Sequence, residues 1–390
     1  MAEKPDPSKP LNEAAPVRSI PTDKGKVVEA GTALCLSGGG YRAMVFHIGA
    51  VWRLHETGVL KTLKRISSVS GGSITAGMLA LKWRTLTAAP FARATFEKEL
   101  VTPLRALASQ TIDESSVLIG LLPGFTVSQR ISAAYDKIFQ GATLQDLPDE
   151  PRFVINATNV QTGALWRFSK PFMADYRVGI VDKPTVSLAD AVTASSAFPP
   201  VLSPMTMPLD ASKVRKVEGN DLHEEPYISK AVLSDGGVYD NLGLETAWKS
   251  YDTILVSDGG GHIDPEPAPK TDWPRHSYRV LNLIDNQVRA LRKRQVIGSY
   301  LAPPGDANHR KGTYWGIRTD IADYRLGDAL KAPHDRTLAL AAIATRLKHM
   351  EDAQQEALIN WGYAVCDAAL RKHVDPALAP KPAFPYARGI

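Results

Sequence analysis

Three short stretches of this chain hold side chains able to transfer an acyl group. The first is Ser68-Val69-Ser70-Gly71-Gly72. A serine between an apolar run and a helix, followed by residues with almost no side chain, sits on a sharp turn that presents its hydroxyl as a nucleophile. The helix that begins there favours negative charge nearby. The second is Gly38-Gly39-Gly40-Tyr41-Arg42. Its glycines leave backbone N–H groups free to face an anion, either a phosphate or the oxyanion of an acyl-transfer intermediate. The loop lacks the Gly-Lys-Ser/Thr of a nucleotide-binding P-loop. The third is Leu233-Ser234-Asp235-Gly236-Gly237-Val238, whose carboxylate could accept the serine proton. Nucleophile, base and oxyanion donors are the minimum set for acyl transfer.

Other residues compete for these roles. Asp258-Gly259-Gly260 repeats the Asp-Gly-Gly pattern after another apolar run and is a rival base. His47 and His55 fall in a largely apolar helical stretch and read as core histidines with satisfied nitrogens, while His262 opens a proline-rich, solvated loop. The nine histidines show no metal-ligand spacing, so neither a metal nor another cofactor is expected.

The elements that must position these groups follow a βαβ grammar. Thr32–Ser37 is a short apolar run bounded by glycines, a buried-strand pattern, and Tyr41 to about Thr57 is apolar nearly all round, as a buried helix is. Arg65–Val69 reads as a second strand and Ile74–Trp83 as a second buried helix. Strand, glycine turn and helix, twice over, predict a parallel sheet with helices on its faces. Further strands are expected at Phe153–Ala157, Leu165–Phe168, Ala231–Ser234, Thr253–Ser257 and Val280–Ile284. Helices are expected near Phe91–Ala108, Val127–Phe139, Leu188–Ser195, Leu242–Ser250 and Asp285–Tyr300, with a long one over Asp335–Arg371. Residues 203–229 and the proline-rich 261–276 read as surface insertions. Residues 1–30, rich in proline, read as a disordered tail, residues 31–310 as one catalytic domain, and 311–390 as a mainly helical extension packed on it.

Composition narrows the function classes. A net charge of +5 from 46 Lys/Arg and 41 Asp/Glu is a mixed surface, which allows contact with an anionic membrane but is no polycation. No basic run interleaved with aromatics points to nucleic acid. Cys35 and Cys366 are the only cysteines, too few for a disulfide framework, and Cys35 lies in an apolar run. No signal sequence or spanning apolar stretch is visible, so a cytoplasmic protein, peripheral at most to a membrane, is the expectation. Val117–Phe125, an irregular apolar run, suits a buried connection or else a lid or docking loop, and Arg289, Arg292, Lys293 and Arg294 form a solvated helix face or meet lipid head groups.

In order and context these motifs resemble the patatin-like phospholipases, a likeness shared by cytosolic phospholipase A catalytic domains. It runs through Leu36–Ala43, Val69–Ser73 and Asp235–Val238 followed by Asn241, with similar segments at Ala157-Thr158-Asn159, Thr162-Gly163 and Ala194–Pro200. It covers roughly residues 31–290. The resemblance implies a three-layer α/β/α fold with a mainly parallel central sheet, and a Ser–Asp dyad without histidine. By matching position Ser70 is the nucleophile, Asp235 the base, and Gly38, Gly39 and Gly40 the oxyanion loop, with Arg42, Gly71, Gly236 and Gly237 in support. Ser68 stands where the G-x-S-x-G pattern has its first glycine. The implied substrate is a phospholipid or another lipid ester. A soluble esterase or acyltransferase with the same dyad, and a binding scaffold without catalysis, are the alternatives.

Overall fold

A computed structural model describes residues 28–112, 127–200, 202–379 and 383–390. The expected tail, apart from its last residues, and the apolar run Val117–Phe125 lie outside them. In chain order the elements that matter are β1 (Glu29–Leu36), α1 (Gly40–Glu56), β2 (Leu63–Val69), α2 (Gly71–Leu81), α3 (Val127–Phe139), β3 (Arg152–Asn159), β4 (Ala164–Phe168), β5 (Phe172–Asp175) and β6 (Gly179–Asp182). There follow α4 (Leu188–Ser195), β7 (Met205–Pro208), β8 (Val214–Arg215), β9 (Lys230–Asp235), α5 (Gly237–Asp240), α6 (Glu245–Trp248), β10 (Tyr251–Asp258), α7 (Trp273–Leu301), β11 (Lys311–Gly316) and α8 (Asp352–His373).

The strands form one sheet in the order β11-β10-β1-β2-β3-β4-β5-β6-β8. From β11 to β3 every pairing is parallel; from β3 outward the strands run antiparallel. Helices cover both faces, which gives the expected three-layer α/β architecture. On one face α1, apolar on all sides, is buried along nearly its whole length between the sheet and α8. The two helices cross closely because glycines meet there. A Cβ on Gly49 would lie 1.9 Å from the Ile359 carbonyl oxygen, and one on Gly362 would lie 2.0 Å from that of Phe46. On the other face a smaller core of Ala33, Cys35, Leu242, Leu244, Ile254 and Val296 sits under α6 and α7.

Several expectations need correction. Val280–Ile284 is not a strand but the middle of α7, which starts twelve residues before the expected Asp285. Asp272 caps its N-terminus by accepting the Arg275 N–H, and Pro274 sits in the first turn, where a missing N–H costs nothing. The strand missing from that count is β11, inside the segment expected to be helical. The stretch Asp335–Arg371 is not one helix. It divides into His334–Ala341 and α8, with 342–351 between them passing close to the glycine loop. The insertion 203–229 supplies β7 and β8 to the sheet.

One departure from the parallel grammar sets up the site. β2 runs parallel to β3 and pairs Val69 with Asn156. β9 runs antiparallel to β3 and pairs Asp235 with Ala157, the next residue. Two strands of opposite direction therefore end against adjacent rungs of β3. Asp235 does not belong to a parallel strand, as the βαβ reading supposed. It faces the end of β2 head-on.

Candidate active site

Ser70 is the residue that follows β2 and caps α2. Its backbone has φ 51° and ψ −123°, a conformation that side chains other than glycine's rarely adopt. The surroundings hold it there. The Ser70 N–H donates to Ser195 Oγ at 2.9 Å, and Ser195 Oγ also meets Ser73 Oγ at 2.9 Å. Gly71 must be glycine, because a Cβ would stand 2.1 Å from the Gly40 carbonyl oxygen. The turn after β2 is thus packed directly against the glycine turn after β1. The Gly72 N–H donating to the Ser37 carbonyl at 3.1 Å locks the two together.

Asp235 closes the site from the other side. Its Oδ1 accepts the Gly237 N–H at 2.7 Å, and its Oδ2 is buried with no hydrogen-bond partner. An unpaired buried carboxylate oxygen is costly when charged. Burial accordingly pushes the Asp235 carboxyl up to about 7, against the opposing pull of the Gly237 N–H and the neighbouring Ser70 hydroxyl. The backbone around it is pinned to the end of α4: the Asp235 N–H donates to the Ala197 carbonyl at 2.9 Å and the Gly236 N–H to that of Ser195 at 3.2 Å. Ser195 therefore holds both turns, Ser70 through its hydroxyl and Gly236 through its carbonyl.

The three glycines after β1 differ from one another. The Gly38 N–H is occupied by Asn241, shared between its carbonyl at 3.0 Å and its Oδ1 at 3.1 Å. The N–H groups of Gly39 and Gly40 have no hydrogen-bonded partner among the described residues. Both glycines have positive φ, 141° and 60°. Arg42 is buried away from the serine. It donates through Nε to the Gly259 carbonyl at 3.1 Å, through Nη2 to Thr345 Oγ1 at 3.0 Å, and through Nη1 to the Ile343 carbonyl. It ties the glycine loop to the end of β10 and to the 343–345 segment.

The rival residues are placed otherwise. Asp258 Oδ1 accepts the Gly260 N–H at 2.9 Å and its Oδ2 the Tyr314 hydroxyl at 2.7 Å. Burial alone would raise its carboxyl, yet Arg289, Tyr314 and Gly260 together hold it below the ordinary value. His47 is buried between Ser257 Oγ at 2.9 Å and the Ser37 carbonyl at 3.0 Å, and burial lowers it to about 4. His55 is also buried, but its Nδ1 lacks the partner expected of it. His262 is exposed.

Ser70, Asp235, Gly39 and Asn241 share one open cavity of about 370 Å³, roofed by α7 through Tyr278, Asn282 and Asp285. Asp285 is a residue the sequence reading missed. Its Oδ1 has no partner, and burial raises its carboxyl. The Asp272 cap and Pro274 after it are the signals that mark the start of this roof, and the reading of Val280–Ile284 as a strand did not use them. Of the four basic residues read as a solvated helix face or as head-group contacts, Arg289 turns inward to the Gly261 carbonyl and Arg292 pairs with Glu245 at 2.9 Å. Lys293 and Arg294 are exposed.

The family described as patatin-like phospholipase matches residues 34–248, more than half of the chain. No curated protein matches the sequence. Among solved structures, human GIVD cytosolic phospholipase A2 in complex with methyl gamma-linolenyl fluorophosphonate superposes with a TM-score of 0.50 and 12% identity, over 93% of this chain and 60% of that one. The same protein with that inhibitor and terbium chloride gives 0.51 and 11%, over 93% and 60%. VipD from Legionella pneumophila gives 0.35 and 15%, over 89% and 67%. The chain spans about three fifths of the human protein's length. At these identities the likeness to the human protein speaks for the fold alone.

Proposed function

The chain belongs to the patatin-like phospholipase family, and on that premise we propose that it is a lipid acyl hydrolase working through an acyl-enzyme on Ser70 with Asp235 as general base. The observation that carries this reading is the buried, unpaired Oδ2 of Asp235 in the cavity that Ser70 shares, on a carboxyl raised to about 7. A free carboxylate is a weak base; one poised near neutrality can take a hydroxyl proton. As Ser70 Oγ attacks the ester carbonyl, its proton passes to Asp235. The free N–H groups of Gly39 and Gly40 receive the oxyanion, with the start of α2 adding its dipole. Gly38 keeps the loop in shape through Asn241. The tetrahedral intermediate collapses, the alcohol leaves with the proton from Asp235, and the acyl group stays on Ser70. Water, deprotonated by the same carboxylate, then releases the fatty acid.

The roof helix supports a lipid surface as the place of work. α7 turns Asn282 and Asp285 to the cavity and leaves Val280, Leu283, Ile284 and Leu291 41–58% exposed, with Trp273 80% exposed at its start. An amphipathic helix with exposed apolar and basic residues suits the interface of a bilayer. No helix among the described residues is long and apolar enough to span one.

The test compares fluorogenic phospholipid vesicles with a short-chain soluble ester, using wild type, Ser70→Ala and a Leu283→Asp/Ile284→Asp double variant. Ser70→Ala should lose roughly 10³-fold or more on both substrates. The double variant should lose vesicle hydrolysis and keep soluble-ester hydrolysis. Wild type acting on the soluble ester alone, or retained activity in Ser70→Ala, refutes the reading.

A further inference from the structure

A second cavity, of about 360 Å³, shares no lining residue with the first. It lies on the sheet face that carries α6, over β3 to β6. Its wall holds three guanidinium groups: Arg65 on β2, Arg152 on β3 and Arg167 on β4. Register puts them on one face. Arg65 is paired with Arg152 across β2 and β3, and Arg167 with Asn156, which lies four residues along β3 from Arg152. Like charges directly opposite each other across strands are destabilising, so this placement needs a compensating group.

The protein supplies little of one. Arg65 Nη1 donates to the Thr246 carbonyl and to Ser250 Oγ at 2.8 Å, while its buried Nε has no partner. Arg152 and Arg167 make no side-chain hydrogen bond or ion pair among the described residues. Each stands 5.7 Å from the centre of the Phe172 ring. The acidic residues of the lining make their hydrogen bonds and ion pairs elsewhere or are exposed, and Asp175 and Glu245 reach Arg167 only through space. Asp175 accepts from Asn159 Nδ2, Thr162 Oγ1 and the Arg177 N–H. Glu245 pairs with Lys249 and Arg292, and Glu218 is exposed. Burial, with Arg152 and Arg167 adding to it, holds Arg65 below the usual guanidinium range. Between the cations the lining is apolar, with Leu165, Phe172 and Ile180.

A planar guanidinium matches two oxygens of a phosphoryl group at once, and three of them suit a dianion. We propose that this cavity binds a phosphate monoester, its dianion gripped by Arg65, Arg152 and Arg167 and its organic part laid against Phe172 and Leu165. The ester could reach it as a soluble molecule or as the head group of a lipid, and the same chemistry serves both.

Calorimetric titration of the whole chain in phosphate-free buffer with phenyl phosphate tests this. Pelleting with phosphatidic acid vesicles runs alongside, with phosphatidylcholine vesicles as control. Binding of phenyl phosphate assigns a soluble ester; pelleting with phosphatidic acid alone assigns a head group. Arg152→Gln and Arg167→Gln should each weaken whichever binding occurs by about tenfold or more, as expected of a lost charged hydrogen bond. Affinity should rise with pH through about 6, where the phosphate gains its second charge. Because neither arginine makes a hydrogen bond or ion pair that its loss would strand, both variants should stay within a few degrees of the wild-type Tm without phosphate. If a variant fails to fold, wild type alone still decides: inorganic phosphate should raise its Tm above chloride at equal ionic strength. Absence of binding to all these probes, or equal binding by the variants, overturns the proposal.

Discussion

Replacing Asp235 by Asn should cost activity and add stability, and the second effect should depend on pH with a known sign. The asparagine keeps the shape and an oxygen for the Gly237 N–H, but has no charge to bury. In the wild type the carboxyl stands at about 7 instead of its ordinary 3.8, because burial penalises the charged form. The folded chain holds this proton more tightly than the unfolded one. Its contribution to stability is therefore complete below 3.8 and is lost as pH rises through about 7. Three pH units at 1.36 kcal/mol each make the full loss about 4 kcal/mol. Most of it, about 3 kcal/mol, falls between pH 5 and pH 8.5 by the same linkage. An unfolding entropy of roughly 2.1 cal/mol/K per residue over 390 residues is about 0.8 kcal/mol/K, so the Tm advantage of Asp235→Asn should grow by about 3–4 °C over that interval. Thermal melts of both proteins at the two pH values, paired with kcat/KM, make the assay. The variant should lose 10²- to 10⁴-fold in rate, the usual share of a general base. Wild-type kcat/KM should climb with pH through about 7. A Tm difference that stays constant or shrinks with pH refutes the account of a charge forced into a dry site, and undiminished rate refutes the base.

Two further substitutions probe the frame around Ser70 and Asp235. Ser195→Ala removes the acceptor of the Ser70 N–H. It should lower kcat about tenfold, roughly one charge-free hydrogen bond, while leaving the pH midpoint near 7 and the circular dichroism unchanged. Asp367→Asn leaves Arg53 and Arg371 without the carboxylate they share at 2.7 and 3.0 Å. Urea unfolding should show a loss of about 3 kcal/mol, with kcat untouched in the folded fraction.

How much of this was legible in the sequence follows from how local each signal is. Glycine turns after apolar runs are local, so β1, α1, β2 and α2 were readable, and so were the turns that carry Ser70 and Asp235 to one cavity. The run Val280–Ile284 was misread because apolar residues in a row suit a strand or a helix alike, and only the cap upstream decides. β11, Lys-Gly-Thr-Tyr-Trp-Gly, hides because Gly312 has φ 117° and approaches the backbone of Ile254, a closeness set by a partner strand. The job of Arg42 was beyond reach, since it grips residues some three hundred positions away. The division of labour among Gly38, Gly39 and Gly40 depends on where Asn241 folds. The head-on meeting of β2 and β9 was likewise invisible, because strand direction is a property of the assembled sheet.

That meeting makes β3 a ruler: the strand that leads to Ser70 ends at Asn156 and the strand that ends in Asp235 at Ala157, neighbouring divisions. β9 is fastened to it by three residues, Ala157 to Asn159, and to β7 by four. A slip of one residue along that seam would turn Asp235 to the opposite face and carry it about 3.3 Å along the ruler. Ser70, beyond the end of β2, would not move. Under the proposed mechanism, activity is therefore an indicator of how well a short seam in the 203–235 segment stays closed. Any ligand or surface that loosens the seam would part Asp235 from Ser70 before the core of the protein registered a change.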